Sequence, residues 1–416
     1  MNRKIENFFA GLALLVPVLL IIGRAPADIG MVLVSLGFLV RSALVKDWQW
    51  VKAPWVLLSL AITVYMVATS FFADYDRNTA LLAGAKWIRW PLFAAAFAYW
   101  TLQLPVTKKY LMPVLVVTLA LVSIDTLVQF VFGTSLSGNP KPDYFGRLTG
   151  PFPNKMVVGV FLERLIWPVL GLGFGWALYK GRDMKRVWAV TALAALVGIT
   201  ILVSGERIAF ALFGLCGILF WLGAKQLRPF LGSIGVAGAI AAAAIIFLIP
   251  TMRERIVNQT GDYLNNLESS SYGAVWTNGY VAWKSAPVFG IGMDNFVPMC
   301  ERLGPASGFR KAQSGLDEFT CARHPHNLYL EWLAATGLIG TSLFLGLIFL
   351  WGRHAVTQMW RAGDTSLYYT HLGLAVGLVP FLWPIMSSMS FFSNWSAVLF
   401  WWIIGLVMNR SIEARA

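Results

Sequence analysis

The chain has 416 residues, of which 57% are hydrophobic and 13% are charged, with 19 tryptophans and a mean hydropathy of +0.65. This composition excludes an ordinary soluble core and is typical of a polytopic membrane protein. The formal net charge of +13 does not indicate a partner nucleic acid, because the basic residues fall between apolar runs, as they do in membrane proteins.

Twelve apolar runs have the length of a membrane-spanning helix. In chain order they lie at about 8–23, 29–45, 54–72, 82–102, 110–132, 156–179, 187–203, 208–224, 230–250, 327–352, 367–387 and 394–409. Lys and Arg are concentrated in alternate connections, beginning before the first run, which predicts that both termini are cytoplasmic. The first run resembles a signal peptide, but we interpret it as an uncleaved first helix because the chain begins at Met1.

The predicted fold class is all-α: a polytopic bundle of about twelve transmembrane helices in a lipid bilayer, with a partly helical periplasmic loop. Its predicted parts are residues 1–250 with helices one to nine, residues 251–325 as the periplasmic loop, and residues 326–416 with helices ten to twelve.

Two outer connections carry basic residues against the usual bias, and we interpret them as binding an anionic ligand. The first includes Arg147 and Lys155. The following helix carries Glu163 and Arg164 about 12 Å beyond its start, where charges are costly and usually functional or paired. The alternative for this pair is a structural salt bridge with neighbouring helices.

A tight outer hairpin, Ser204-Gly205-Glu206-Arg207, joins two apolar runs. We expect Ser204 to cap the second helix, which places Arg207 in its first turn. A cation there is unfavourable to the helix dipole unless an anion lies nearby, so helix terminus and arginine together indicate a phosphate site. The alternative is an arginine that extends to the interface.

The outer loop 251–323 is too long to be a simple connector, and it contains Cys300 and Cys321. In an oxidising compartment these two cysteines can form a disulfide, and the alternative is two free thiols. We expect the loop to form a partly helical cap over the membrane domain.

His324, Pro325 and His326 lie where this loop meets a long apolar run. Proline is favoured in the first turn of a helix, so we expect His326 in that turn as a neutral imidazole able to accept a proton. The alternative is a helix cap packed against a loop. Cys321, His324 and His326 could also bind a metal ion, but their spacing matches no common zinc pattern, so we predict neither a metal nor a cofactor.

Outer cations and one neutral histidine fit a glycosyl transfer in which a lipid diphosphate leaves and a hydroxyl group attacks. Four segments also resemble, in order, motifs of the bacterial O-antigen ligase and polymerase superfamily. They are GRLTGPFPNK at 146–155, SGERIAF around Arg207, WKSAPVFGIG at 283–292 and HNLYLEWLAATGLIG at 326–340.

Within this superfamily, the chain resembles the O-antigen ligases most. This resemblance implies an inverting, metal-independent transfer of O-antigen from undecaprenyl diphosphate to lipid A–core oligosaccharide, on the periplasmic face of the inner membrane. His326 and Arg207 lie in two of these motifs, and we predict catalytic roles for both, with supporting roles for His324, Glu163 and Arg323. Because a diphosphate can occupy several cationic donors, we expect Arg147, Lys155, Arg164 and Arg207 to converge on it.

One departure concerns Asn278 and Gly279, which stand where the family often has an arginine before its Trp-x-x-Ala segment. Lys284, Arg302 or Arg310 could replace that arginine. Two related activities remain open, an O-antigen polymerase and an O-linked protein oligosaccharyltransferase. A transporter of an anionic lipid or solute is the alternative of another class, although no inverted repeat is evident.

Overall fold

The structure, a computed structural model, describes residues 2–142, 146–267, 270–304, 321–363, 365–385 and 389–409. Regular structure in these ranges is helical apart from two isolated bridges. Seven of the helices are long and apolar enough to cross a membrane. The predicted all-α membrane helix bundle is therefore confirmed.

The first half of the bundle begins with two long helices joined at Gly23. The helices in this half are α1 (Arg3–Ile22), α2 (Arg24–Val45), α3 (Pro54–Ser70), α4 (Arg77–Lys86), α5 (Arg89–Tyr99) and α6 (Pro105–Phe132). The apolar run predicted at 82–102 thus becomes two short helices instead of one. Asp76 caps α4, since its carboxylate accepts a hydrogen bond from the backbone N–H of Thr79 at 2.9 Å.

Four helices follow: α7 (Val158–Leu178), α8 (Met184–Val203), α9 (Arg207–Gly223) and α10 (Arg228–Leu248). Helix α7 is buried along almost its whole length, whereas α10 has no buried residue. Close packing of α7 against α16 (Ser366–Val376) depends on small residues. A Cβ atom on Gly171 would lie 2.8 Å from the Cα atom of Gly373.

The segment predicted as a partly helical loop contains several short helices. They are α11 (Pro250–Arg253), a π-helical turn (Glu254–Asn258), α12 (Gln259–Asn265), α13 (Ser271–Ser285) and α14 (Phe296–Leu303). The chain then forms α15 (Leu328–Ala362), α16, α17 (Val379–Leu382) and α18 (Asn394–Met408).

Each of the twelve predicted apolar runs overlaps one helix or a consecutive pair. Seven correspond to helices of spanning length, and four to shorter apolar helices of 10–17 residues. The remaining run is the pair α4 and α5. Hydropathy therefore located the helices correctly, although several are shorter than a regular membrane span.

Helix α15 is broken at Gly337, whose φ of 64° and ψ of −167° are not helical. Residues 287–292 of the loop pair with the backbone on both sides of this break. The N–H groups of Ile291 and Gly292 donate to the carbonyl oxygens of Ala334 and Ala335, and those of Leu338 and Ile339 donate to Pro287 and Val288, over 2.9–3.3 Å. The loop thus supplies hydrogen bonds that a continuous helix would make internally.

Connections 71–76 and 204–206 and the described parts of 133–157 meet the described parts of the outer segment, 250–267, 270–304 and 321–323, at one end of the bundle, which we call the loop end. Asn295 Oδ1, for example, accepts a hydrogen bond from the backbone N–H of Asp76 at 3.1 Å. Arg255 Nε donates to the carbonyl oxygen of Gly205 at 3.1 Å. This end gathers the predicted site residues.

Candidate active site

The carboxylate of Glu206 connects two parts of the loop end. It accepts hydrogen bonds from the backbone N–H groups of Gly159 at 2.7 Å and Val160 at 3.4 Å, in the first turn of α7. A carboxylate at that position satisfies N–H groups that have no partner within the helix. Arg147 Nη2 lies 3.4 Å from Glu206 Oε2, so the first loop is fixed to the same carboxylate.

The expected capping role of Ser204 is wrong. Glu206 is the residue before α9, and the Ser204 hydroxyl donates instead to the carbonyl oxygen of Ile201 at 2.7 Å. Arg207 is the first residue of α9, as the hairpin spacing predicts. The carboxylate of Glu206 makes no capping bond to α9 because it bonds to α7.

Three arginines approach one another around this carboxylate: Arg147, Arg207 and Arg255. Burial, together with the positive charges of Arg207 and Arg147, lowers the pKa of Arg255 from its usual value. Among the described residues, Arg147 forms an ion pair with Glu206, whereas Arg207 and Arg255 form none, so positive charge exceeds negative charge in these contacts. Such a cluster favours binding of an anion.

Several guanidinium N–H groups of this region are buried without a hydrogen-bond acceptor among the described residues. They are Nε of Arg147, Nη1 of Arg207, and Nε and Nη1 of Arg164. The guanidinium of Arg207 stacks over the ring of Tyr263 at 4.6 Å, which fixes its plane. Buried donors of this kind require an explanation, and an anionic ligand is one.

Arg255 is absent from the residues that the sequence predicts for the site. Its Nη1 donates to Gln259 Oε1 at 2.6 Å, while its Nε holds the Gly205 carbonyl, so the guanidinium is fixed against the hairpin. The available signal was its position soon after an apolar run, in an outer connection that carries basic residues against the usual bias.

Glu163 and Arg164 are buried in α7, with exposed fractions of 1% and 4%. Glu163 Oε1 accepts a hydrogen bond from Trp167 Nε1 at 3.4 Å. The guanidinium of Arg164 lies 4.5 Å from the ring centroid of Phe381, and it interacts electrostatically with both Glu163 and Glu206. Arg164 therefore borders the cluster from within the bundle.

Lys155 has a different environment from the three arginines. Burial, and then the positive charge of Arg24, lower the pKa of Lys155. The charged neighbour that acts on Lys155 is thus at the start of α2. The convergence of Lys155 with Arg147, Arg164 and Arg207 on one diphosphate stays a prediction.

His326 does not lie in the first turn of α15, and that expectation is wrong. The helix begins at Leu328, and the side chain of Asn327 caps it by accepting hydrogen bonds from the N–H groups of Tyr329 at 3.0 Å and Leu330 at 3.1 Å. His326 precedes this cap with a left-handed φ of 52°. A non-glycine residue in this conformation is uncommon and often marks a functional position.

The two histidines contact each other directly. His324 Nδ1 accepts the backbone N–H of His326 at 3.1 Å, and the ring centroids are 4.0 Å apart. Burial, and then the proximity of His326, lower the pKa of His324 to about 3. His324 is therefore neutral at pH 7, and the hydrogen bond to its Nδ1 fixes the backbone at His326.

The histidine segment is connected to Arg164 through residues 381–384. Asn327 Nδ2 donates to the carbonyl oxygen of Pro384 at 2.8 Å, and the Tyr329 hydroxyl donates to that of Leu382 at 2.8 Å. Phe381, which begins this segment, is the ring over which Arg164 stacks. Arg164 and the histidine segment, two predicted parts of the site, therefore both contact residues 381–384.

Cys300 and Cys321 form a disulfide with a Cα–Cα distance of 6.0 Å. This bond attaches α14 to the segment of His324, and it removes Cys321 as a thiolate ligand. Among the described residues, no group of three His, Cys, Asp or Glu side chains is arranged to hold a metal ion. Arg323, predicted to support the site, is exposed.

The departure at Asn278 and Gly279 has a structural reason. Both lie buried in α13, and a Cβ atom on Gly279 would come within 2.8 Å of Pro325 Cβ. Of the three candidate replacements for the family arginine, Arg302 donates to the carbonyl oxygen of Asp74 at 3.3 Å, while Arg310 lies outside the described residues. The side chain of Lys284, near the end of α13, has no hydrogen bond to the part of the chain that the structure describes.

Residues 191–345 match a family model described as O-antigen ligase. No curated protein matches the chain. The matched segment includes the hairpin with Arg207, the segment of Arg255 and both histidines of the loop end. Over residues 191–345, the chain is therefore similar to the O-antigen ligase family, and this similarity indicates glycosyl transfer of the ligase or polymerase type.

Proposed function

We propose that the protein transfers O-antigen polysaccharide from undecaprenyl diphosphate to a sugar hydroxyl of lipid A–core oligosaccharide. In this proposal the loop end faces the periplasm and the bundle crosses the bacterial inner membrane. The observation that carries it is the set of buried guanidinium N–H groups, without acceptors among the described residues, around Glu206. The family match over residues 191–345 supports the reaction type.

The donor diphosphate is proposed to bind at Arg147, Arg207 and Arg255. Three guanidinium groups lie within electrostatic range of one another there, and one of them is paired with Glu206, so two phosphate groups would balance the charge and accept the available N–H bonds. In this assignment Arg255 takes the role of the family's loop arginine, for which the sequence analysis named Lys284, Arg302 and Arg310 as candidates. Arg164 contributes from the bundle side, next to Glu206.

His326 is proposed as the general base. Its imidazole accepts the proton of the acceptor hydroxyl as that oxygen attacks the anomeric carbon of the donor sugar. The bond between that carbon and the diphosphate oxygen breaks, and the leaving diphosphate retains the electron pair. Attack opposite the leaving group inverts the anomeric centre, and the arginines stabilise the charge that develops on the diphosphate.

His324 is proposed as a positioning residue. Its neutral Nδ1 holds the backbone N–H of His326, which maintains the left-handed conformation of that residue. The adjacent Asn327 fixes the start of α15 directly after it. The contact with His324 before it and the helix cap at Asn327 after it would then hold His326 in place.

The test is transfer of labelled glycan from undecaprenyl diphosphate to lipid A–core by the purified protein. The informative variant is His326→Asn, because asparagine tolerates a left-handed φ and therefore preserves the backbone. We expect turnover to fall about 10²- to 10⁴-fold, the usual contribution of a general base, while donor binding is unchanged. Glu301→Gln, an exposed loop-end change, is the matched control.

Two outcomes would contradict the proposal. Near-normal turnover by His326→Asn would remove the histidine base from the mechanism. Extension of a lipid-linked repeat without any transfer to lipid A–core would assign the protein to the polymerase branch of the same reaction type.

A further inference from the structure

A polar cavity lies at the loop end, outside the arginine cluster. It has a volume of about 480 Å³ and is bordered by α2, α4, α5, the start of α18 and the segment before α14. Its lining includes Asp28, Lys86, Arg89, Asp294, Phe392 and Asn394. The size falls within the range of small-molecule sites, and the lining combines a few polar groups with aromatic rings.

The charges of this cavity balance one another, unlike those of the arginine cluster. Arg89 Nε lies 3.1 Å from Asp28 Oδ1, and another of its nitrogens donates to Asn394 Oδ1 at 2.9 Å. Lys86 acts electrostatically on Asp294. Two cations and two carboxylates leave no excess positive charge to attract a phosphate.

Two side chains remain available to a ligand. The guanidinium of Arg89 is held by Asp28, Asn394 and the Lys86 carbonyl oxygen, which it contacts at 2.7 Å. In contrast, the carboxylate of Asp294 and the ammonium of Lys86 have no hydrogen-bond partner among the residues that the structure describes. One carboxylate acceptor and one ammonium donor across a small cavity suit a ligand with adjacent hydroxyl groups.

The cavity is mechanically connected to the histidine segment. Asp294 is separated by Asn295 from the helix α14, whose Cys300 is bonded to Cys321. On the other wall, the backbone N–H of Phe391 donates to Glu331 Oε2 at 2.7 Å, in the first turn of α15. Both walls are therefore attached to elements that flank His326.

We propose that this cavity binds a sugar ring of the acceptor oligosaccharide, with Asp294 and Lys86 hydrogen-bonding its hydroxyl groups and Phe392 covering its apolar face. This inference rests on the proposed function, since the acceptor is the hydroxyl-rich substrate of that reaction. It assigns donor and acceptor to two separate places, one with excess positive charge and one electrically balanced.

The test uses the core oligosaccharide released from lipid A as the probe and the full chain in nanodiscs. Asp294→Asn and Lys86→Gln are the variants, and Asp294→Asn suits the left-handed φ of 56° at that position. Asp47→Asn, at the other end of α2, is the control. We expect each pocket variant to weaken binding of the probe about tenfold, as loss of a charged hydrogen bond predicts.

Transfer kinetics provide the second measurement. The KM for lipid A–core should rise about tenfold in the pocket variants, while kcat at saturating acceptor and the affinity for the donor stay at the wild-type values. Unchanged binding and unchanged KM in both variants would overturn the cavity assignment while leaving the transferase intact. If the wild type binds the probe but transfers no glycan, the proposed function fails, and the binding comparison still decides the cavity.

Discussion

Glu206 Oε2 lies 3.4 Å from Arg147 Nη2, and the same carboxylate accepts the N–H of Gly159 at 2.7 Å. A single buried side chain thus holds the first loop and the start of α7 against the hairpin that carries Arg207. Removing it should disturb both the fold and the arrangement of the arginines.

Glu206→Ala should lower the free energy of unfolding by about 2 kcal/mol, because it leaves a buried N–H group of α7 without an acceptor. Glu206→Gln should cost less, since its amide oxygen can still accept that bond while the ion pair with Arg147 is lost. Thermal unfolding in one detergent would compare the two. Equal unfolding temperatures for Glu206→Ala and the wild type would show that the hydrogen bonds contribute little.

Arg207→Gln should weaken binding of an undecaprenyl diphosphate donor about 10- to 100-fold, as expected for lost charged hydrogen bonds. The control is Arg253→Gln, an exposed arginine of the same outer segment. Binding is measured with each purified variant over a series of donor concentrations. If both variants bind the donor as the wild type does, the arginine cluster is not the diphosphate site.

Gly337→Ala and Gly352→Ala form a matched pair within α15. A Cβ atom on Gly337 would lie 2.3 Å from the carbonyl oxygen of Val288, and the φ of 64° disfavours alanine. Gly352 has no atom within 4 Å of the added Cβ. We expect Gly337→Ala to destabilise the protein by more than about 2 kcal/mol, and Gly352→Ala to be neutral or stabilising.

Thermal unfolding of both variants tests this difference. Similar unfolding temperatures for the two variants would show that α15 accommodates a side chain at position 337 without losing its contacts with residues 287–292.

The pH dependence of stability should report on His324. Its pKa is about 3 in the folded protein, against a usual value of 6.5. The unfolded chain therefore binds more protons between these values, so stability is fully present above pH 6.5 and falls as the pH decreases toward 3. His324→Gln carries no such charge and should show a shallower decrease between pH 6.5 and pH 4. Parallel slopes for the two proteins would exclude a neutral buried His324.

The helices could be predicted because apolar composition over a membrane-spanning length is a strong signal, and each predicted run overlaps helical structure. The break at Gly337 could not be predicted in the same way. Hydropathy is insensitive to backbone conformation, and the break depends on residues 287–292, which lie far away in the sequence.

The site was only partly predictable. Arg207 follows a short hairpin, so its position at the start of α9 could be deduced from spacing. For His326, the preference of proline for a first helical turn competed with the stronger capping preference of Asn327, and the cap determined where α15 begins. The position of Arg255 after an apolar run was visible in the sequence, but its contact with Gly205 arises from tertiary packing and could not be deduced from it.

The pairing of residues 287–292 with the broken part of α15 has a consequence for how this region opens. The amides of Ile291 and Gly292 in the loop, and those of Leu338 and Ile339 in the helix, are all bonded across the same junction. Separating the two would expose all four at once, so hydrogen–deuterium exchange at loop and helix should proceed at one common rate. The outer segment and the membrane helix then behave as one cooperative unit, in which neither part loosens alone.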